Sequence, residues 1–137
     1  YIGPEAIIRH GAYVRSYSWI CFQAVVGHSS EIKHSILLPK AKAPHFNYVG
    51  DSVIGTEANL GAGVKLSNLR NDGGEVHTRH SDQRIPTGLR KFGALIGEKC
   101  QLGCNAVLNP GVILGTACSV FPNLTVSGIH PSNGKIR

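Results

Sequence analysis

A spacing of six governs this chain. Aliphatic residues fall at Ile2, Ile8, Val14, Ile20, Val26, Ile32 and Leu38, then at Ile54, Leu60 and Leu66, then at Ile96, Leu102, Leu108, Leu114, Val120 and Val126. The residue four places on is small at Ala6, Ala12, Ser18, Ala24 and Ser30, and again at Cys100, Ala106 and Cys118. A period of six keeps no single face of a helix with 3.6 residues per turn, so helix does not compete. It suits one short strand plus one turn. Three such units return the chain above its start, giving a triangular coil whose aliphatic residues point inward and stack on the next coil. The small residue fits the corner, and Gly or Asn suits corners that need positive φ. A coil buries its core only against neighbouring coils, so several are needed. The sixteen or so hexads predict about five of them. The fold class read from the sequence is therefore all-β, a parallel β-helix over 1–137 as one domain.

The rhythm breaks twice. From Leu38 to Ile54 is sixteen residues, so the sequence predicts a loss of register over Lys42-Ala43-Pro44-His45-Phe46-Asn47-Tyr48-Val49-Gly50-Asp51. From Leu66 to Ile96 is thirty residues, so the segment at about 67–95 leaves the repeat as one long inserted loop and returns in phase. That loop carries Arg70, His77, Arg79, His80, Arg84, Arg90 and Lys91, with Gly73-Gly74 as a turn. It reads either as a solvated excursion or as a loop that meets a phosphate. His77 and His80 lack further ligands at a suitable spacing, and no metal site is expected.

Composition narrows the function classes. The net charge of +6 suits an anionic partner such as a phosphorylated metabolite, a coenzyme or nucleic acid. Nucleic acid is the weakest of these, because the basic residues are spread over a loop and the coils with no recognition helix or aromatic platform. No apolar run is long enough to span a bilayer. Cys21, Cys100, Cys104 and Cys118 are not in paired CxxC motifs and read as small, buried, reduced residues, which fits a cytoplasmic protein. The chain opens at Tyr1, and a longer parent protein is expected. Tyr13, Tyr17, Trp19 and Phe22 are expected to roof the open end of the prism or to pack on another domain or chain.

The break around His45 has specific flanks. Glu31-Ile32-Lys33 precedes it, Lys42-Ala43-Pro44-His45 and Tyr48-Val49-Gly50-Asp51 form it, and Asn59-Leu60-Gly61-Ala62-Gly63 and Asn68-Leu69 follow. This order resembles the acetyltransferase domain of the bifunctional glucosamine-1-phosphate N-acetyltransferase/N-acetylglucosamine-1-phosphate uridyltransferase family. That family carries Lys-Ala-Gly-His, Tyr-Leu-Gly-Asp, Asn-Ile-Gly-Ala-Gly and an Asn-Tyr pair in the same order. The resemblance is close over residues 26 to 70 and looser over the remaining repeat. The segments Asn68-Leu69-Arg70-Asn71-Asp72 and Gly88-Leu89-Arg90-Lys91-Phe92-Gly93 are more similar to archaeal-type sugar-1-phosphate nucleotidyltransferase/acetyltransferases. Leu69 stands where many members carry Tyr, and Cys104 where a Ser tends to contact the coenzyme.

The resemblance implies a left-handed parallel β-helix, a homotrimer with sites in the clefts between prisms, and an upstream nucleotidyltransferase domain outside this chain. It implies acetyl transfer from acetyl-CoA to the amine of an amino-sugar 1-phosphate, with glucosamine-1-phosphate favoured. The amine arrives largely protonated, and a His titrates near the operating pH, so His45 is the expected general base. Asn68 is expected to position the amine or to stabilise charge at the reacting carbonyl. Arg9 and Lys33, one coil apart, match family positions that hold the phosphate. Tyr48 is expected to contact phosphate or sugar, Asn59 to bridge sugar hydroxyls, and Ala62 and Cys104 to line the pantetheine arm. The competing readings are a non-catalytic trimerisation scaffold for a nucleotidyltransferase and an acyltransferase that uses another acyl donor.

Overall fold

The computed structural model describes residues 1–137 as a parallel β-helix with no α-helix. No helix is long and apolar enough to cross a membrane. Three parallel sheets of seven, six and six strands form the faces of the prism. Face I runs from Ile7–Ile8 through Val25–His28, Lys42–His45, Asn59–Leu60, Gln101–Leu102 and Ser119–Val120 to Lys135–Ile136. Face II runs from Tyr13–Val14 through Glu31–Lys33, Tyr48–Gly50, Lys65–Leu66 and Val107–Leu108 to Thr125–Val126. Face III runs from Trp19–Ile20 through Ile36–Leu37, Val53–Ile54, Ala94–Ile96 and Val112–Leu114 to Ile129–His130. The stack is taller than the five coils expected, because strands that the hexad count omits also belong to it.

The inward residue of each strand stacks on its equivalent one coil away. On face II the register pairs Val14 with Ile32, Ile32 with Val49, Val49 with Leu66, and Leu66 with Leu108. The small residues close the corners from inside: Ala24, Ala41, Ala58, Cys100 and Cys118 are all fully buried. Burying one such Leu or Ile stabilises the fold by roughly 1.5–3 kcal/mol. Inward positions open at the ends of the stack: Ile2 is 54% and Ile8 38% exposed in the first coil, and Ile136 is half-buried in the last.

The register is not lost across residues 42–51. Ala43 and Val49 are fully buried inward residues in line with Val26 and Ile32. The shortfall comes instead from two shortened steps. The inward residue after Ile32 is Leu37, not Leu38, and the one after Val49 is Ile54, each five positions on. Both steps turn the edge between faces II and III, at Lys33-His34-Ser35 and Gly50-Asp51-Ser52. His34 and Asp51 turn these corners with φ of 49° and 47°. The serine that follows replaces the hydrogen bonds of the missing residue. Ser35 Oγ donates to Lys33 O at 2.8 Å and accepts from Ser52 N at 3.0 Å, and Ser52 Oγ in turn accepts from Ala94 N at 2.9 Å.

The excursion behaves as expected in phase. It leaves face II after Leu66 and returns on face III at Ala94–Ile96, so no face is skipped. Within it, His77–His80 and Gln83–Pro86 form an antiparallel hairpin. Its two stems are tied at an antiparallel bridge between Leu69 and Lys91 and by Phe92 N donating to Asn68 O at 3.0 Å.

The early aromatics do not roof the open end. Tyr13 lies on face II and Trp19 on face III, where Tyr1 packs edge-on against it at 5.4 Å, and Tyr17 is 85% exposed at the corner between them. The cysteines are free and only partly as expected: Cys100 and Cys118 are buried, but Cys104 is exposed, because it sits at the tip of a corner and not in the inward row.

Candidate active site

The shortened corner at Asp51 carries the densest polar network of the chain. The Asp51 side chain is 8% exposed and accepts two hydrogen bonds from Lys33 Nζ, at 2.8 and 3.0 Å. His34 Nδ1 lies 2.8 Å from its other side, and Asn68 Nδ2 donates to it as well. Burial pushes the Asp51 carboxyl up, but the hydrogen bonds from Lys33, Asn68 and His34 outweigh burial and hold it below the usual carboxylate range. A carboxylate with this many donors stays ionised and orients them; it is a poor proton acceptor.

Tyr48 connects this network to the other edge of face II. Its hydroxyl donates to Asn68 Oδ1 at 3.4 Å. The intervening residue is Gly50, where a Cβ would lie 2.6 Å from Asn68 Nδ2 and 2.7 Å from the Tyr48 hydroxyl. A side chain there would push both functional groups away, so the glycine opens the floor on which they meet.

His45 ends its face I strand and stands exposed at the edge between faces I and II. The corner that holds it is fixed from inside by Asn47, which is 2% exposed. Asn47 Oδ1 accepts from His45 N at 3.0 Å, and its Nδ2 donates to Gly61 O at 2.8 Å. Equivalent corners are closed by Ala12, Ser30, Val64 and Ala106, so Asn47 is a polar corner filler. The same edge continues upward coil by coil. Gly63 N donates to His45 O at 3.0 Å and Asn105 N to Ala62 O at 2.8 Å. His45, Ala62 and Cys104 therefore form one column along the I–II edge.

The other expected residues separate. Lys33, Tyr48 and Asn68 meet on face II and its far edge. Asn59 lies on face I, between Lys42 and Gln101 in register. Arg9 also lies on face I and is not one coil below Lys33, because it continues the Ile7–Ile8 strand. The residue one coil below Lys33 is Arg15, since Val14 pairs with Ile32. Arg15 Nη1 donates to Glu31 Oε1 at 2.8 Å. The sequence reading missed Arg15 and Asp51. The coil from Val14 to Ile32 is eighteen residues, and counting that distance back from Lys33 finds Arg15.

In the excursion, Arg70 is held by its own neighbours. Its Nε donates to Asp72 at 2.9 Å and its Nη1 to Glu75 O at 3.0 Å, with His77 Nδ1 at 3.2 Å. His77 is thus occupied by an arginine.

No protein-family model matches the chain. Among proteins of similar sequence, a bifunctional sugar-1-phosphate nucleotidylyltransferase/acetyltransferase of Sulfurisphaera tokodaii is 39% identical over 116 residues, covering 85% of this chain and 29% of that protein. A protein named bifunctional protein GlmU, of Methanocaldococcus jannaschii, is 38% identical over 122 residues, covering 89% of this chain and 30% of that protein. The chain spans under a third of the length of these relatives. Among solved structures, PerB of Caulobacter crescentus, in complex with CoA and GDP-perosamine, superposes with a TM-score of 0.63 at 18% identity, covering 96% of this chain and 51% of that one. The acetyltransferase domain of PglB from Neisseria gonorrhoeae, in complex with acetyl coenzyme A, gives 0.60 at 15% identity, covering 93% and 49%. The structural likenesses speak for the fold, and over 85–89% of its length the chain is similar in sequence to these two bifunctional relatives.

Proposed function

We propose that this chain transfers acetyl from acetyl-CoA to the amine of an amino-sugar 1-phosphate, glucosamine-1-phosphate first among the candidates. The observation that carries the reading is the Tyr48–Asn68 contact, which joins the edge bearing His45 to the Asp51–Lys33 network across one open face. In this reading the acceptor lies on face II and the coenzyme follows the I–II edge past Ala62 and Cys104. His45 takes the proton from the attacking amine; its ring has no hydrogen bond to the chain and is exposed to do so. Asn68 holds the reacting groups, and a donor of that kind at a developing oxyanion is worth on the order of 3 kcal/mol. Tyr48 contacts sugar or phosphate. Lys33 and Arg15, stacked one coil apart, receive the phosphate, and Arg15 takes the place first given to Arg9.

The reading includes a homotrimer. Arg9 and Asn59 lie on face I and cannot join the face II residues within one prism. A second copy that lays face I beside face II brings Asn59 toward the sugar. A monomeric mass by light scattering overturns this part. A nucleotidyltransferase domain encoded upstream is also proposed, motivated by the relatives' bifunctional names, and the parent gene sequence checks it.

The test is thiol release from acetyl-CoA with glucosamine-1-phosphate and galactosamine-1-phosphate side by side, for wild type and His45→Ala. Release that requires an amino-sugar phosphate and is lost in the folded variant supports the reading, and the ratio of rates names the acceptor. No release from a folded wild-type protein with either sugar overturns it in favour of a scaffold or another acyl donor.

A further inference from the structure

The excursion is docked on the prism. A Cβ on Gly111 would lie 2.5 Å from His77 O, and Gly111 also holds a φ of 88°, so both the close approach and the backbone require glycine there. Higher up, a Cβ on Gly128 would lie 3.1 Å from Arg79 O, and Gly128 holds a φ of 83°. The strand His77–His80 is thereby laid along the II–III edge.

Between this strand and the prism lies a cleft of about 480 Å³, with Leu69 as its one hydrophobic wall residue. That volume is in the range of small-molecule sites. The excursion contributes Arg70, Asp72, Arg79 and Arg84, and the prism contributes Asn109 and Ser127. Three arginines against one carboxylate leave the cleft strongly cationic. Arg70 and Asp72 satisfy each other. Arg79 and Arg84 do not: they stand directly opposite in the hairpin register, and neither takes part in any of the ion pairs of the chain. Opposed residues of an antiparallel pair have Cα atoms about 5 Å apart, and like charges placed so are destabilising. A hairpin that sets two unpaired arginines side by side over a polar cleft is built for an anion. Guanidinium forks match phosphate oxygens in two-point contact.

The cleft adjoins the candidate active site. Its wall includes Ser67 and Leu69, the residues on either side of Asn68. Arg15 and Lys33 lie below Asn68 on the stack, and the Arg79–Arg84 pair lies above it. An extended substrate reaching upward from Asn68 meets the second pair.

We propose that this cleft binds a phosphate or diphosphate group of a substrate, with Arg79 and Arg84 as its clamp. The identity of the ligand rests on the acetyl-transfer reading; the anion site itself does not. Two sources carry this chemistry: the phosphates of coenzyme A, and a diphosphate on a nucleotide-linked amino-sugar acceptor.

The test is calorimetry on the whole chain with inorganic pyrophosphate, coenzyme A and a nucleoside diphosphate amino sugar, for wild type and the double variant Arg79→Gln/Arg84→Gln. The site predicts that wild type binds pyrophosphate with salt-sensitive affinity and that the double variant binds at least tenfold more weakly, with an unchanged or raised Tm. Coenzyme A binding weakened in parallel assigns the coenzyme, and acceptor binding weakened in parallel assigns the nucleotide sugar. Equal pyrophosphate affinity in both proteins, or loss of pyrophosphate binding with both organic ligands unaffected, overturns the proposal. A wild type that transfers no acetyl group overturns the proposed function alone, because the anion site is read from the ligand titrations and not from turnover.

Discussion

The hydroxyl of Tyr48 donates to Asn68 Oδ1 at 3.4 Å, passing over a residue that has no side chain. That residue is Gly50, and its role is spatial: its backbone needs no positive φ, and only the space above it is special. Gly50→Ala is expected to push Asn68 and Tyr48 apart by their flexible ends and to leave the coil closed. The lost hydrogen bonds cost about 1–2 kcal/mol of stability, and turnover is expected to fall at least tenfold. Thermal melting and acetyl-transfer rates together check this; full turnover with an unshifted Tm would show that the contact has no role.

Asp51 gives the network a pH signature. Its folded pKa lies below its unfolded value of about 3.9. The stabilisation is therefore fully present above that value and is lost as pH falls through the folded one. Asp51→Asn is expected to cost about 2 kcal/mol at neutral pH, since charged hydrogen bonds to Lys33 are lost. It is also expected to flatten the acid limb of the stability curve below about pH 4. Denaturant unfolding at neutral and acid pH measures both, and a variant with the wild-type acid limb contradicts the account.

Asn47 is buried with both ends of its amide used. Asn47→Ala leaves His45 N without a partner and Gly61 O with Val64 N alone, and is expected to destabilise the chain by about 1–3 kcal/mol. Asn47→Ser, which matches Ser30 at the equivalent corner, is expected to recover part of this. Comparable Tm values for the two variants would argue that volume alone matters there.

The cysteines separate by reactivity. Burial pushes the Cys100 thiol up to about 11, and its Sγ donates to Gly115 O at 3.1 Å. Cys104 is exposed on the column above His45 and Ala62. Iodoacetamide at pH 8 is expected to modify Cys104 well before Cys100, and coenzyme A to slow that modification under the proposed function. Peptide mass mapping reads both; equal labelling of Cys100 would mean that its coil opens readily.

The repeat was legible because one inward residue per face carries the core, and a hexad spacing marks it. Reading failed where a corner lost a residue. Leu37 and Leu38 are adjacent and equally apolar, so spacing alone favoured the wrong one, and the step then looked like a break at His45. The order of His45, Tyr48, Asn59 and Asn68 was visible as a motif. The split of those residues between two faces was not, because faces are assigned only once every corner is counted correctly. Arg15 lies below the first shortened corner, where the spacing is regular, and the coil count back from Lys33 reaches it directly. The pairing of Arg79 with Arg84 was invisible for another reason: it depends on the hairpin turn, which has no hexad.

The docked excursion changes how the prism comes apart. In a stack where each coil touches only its neighbours, unfolding begins at an end and proceeds one coil at a time. Here Gly93 N donates to Asp51 O and Gly111 N to Gly93 O, while the hairpin reaches Gly128 beyond them. The segment acts as a brace nailed across several storeys. Amide exchange in the middle coils is then expected to occur in a single concerted opening, while the coils outside the brace fray independently.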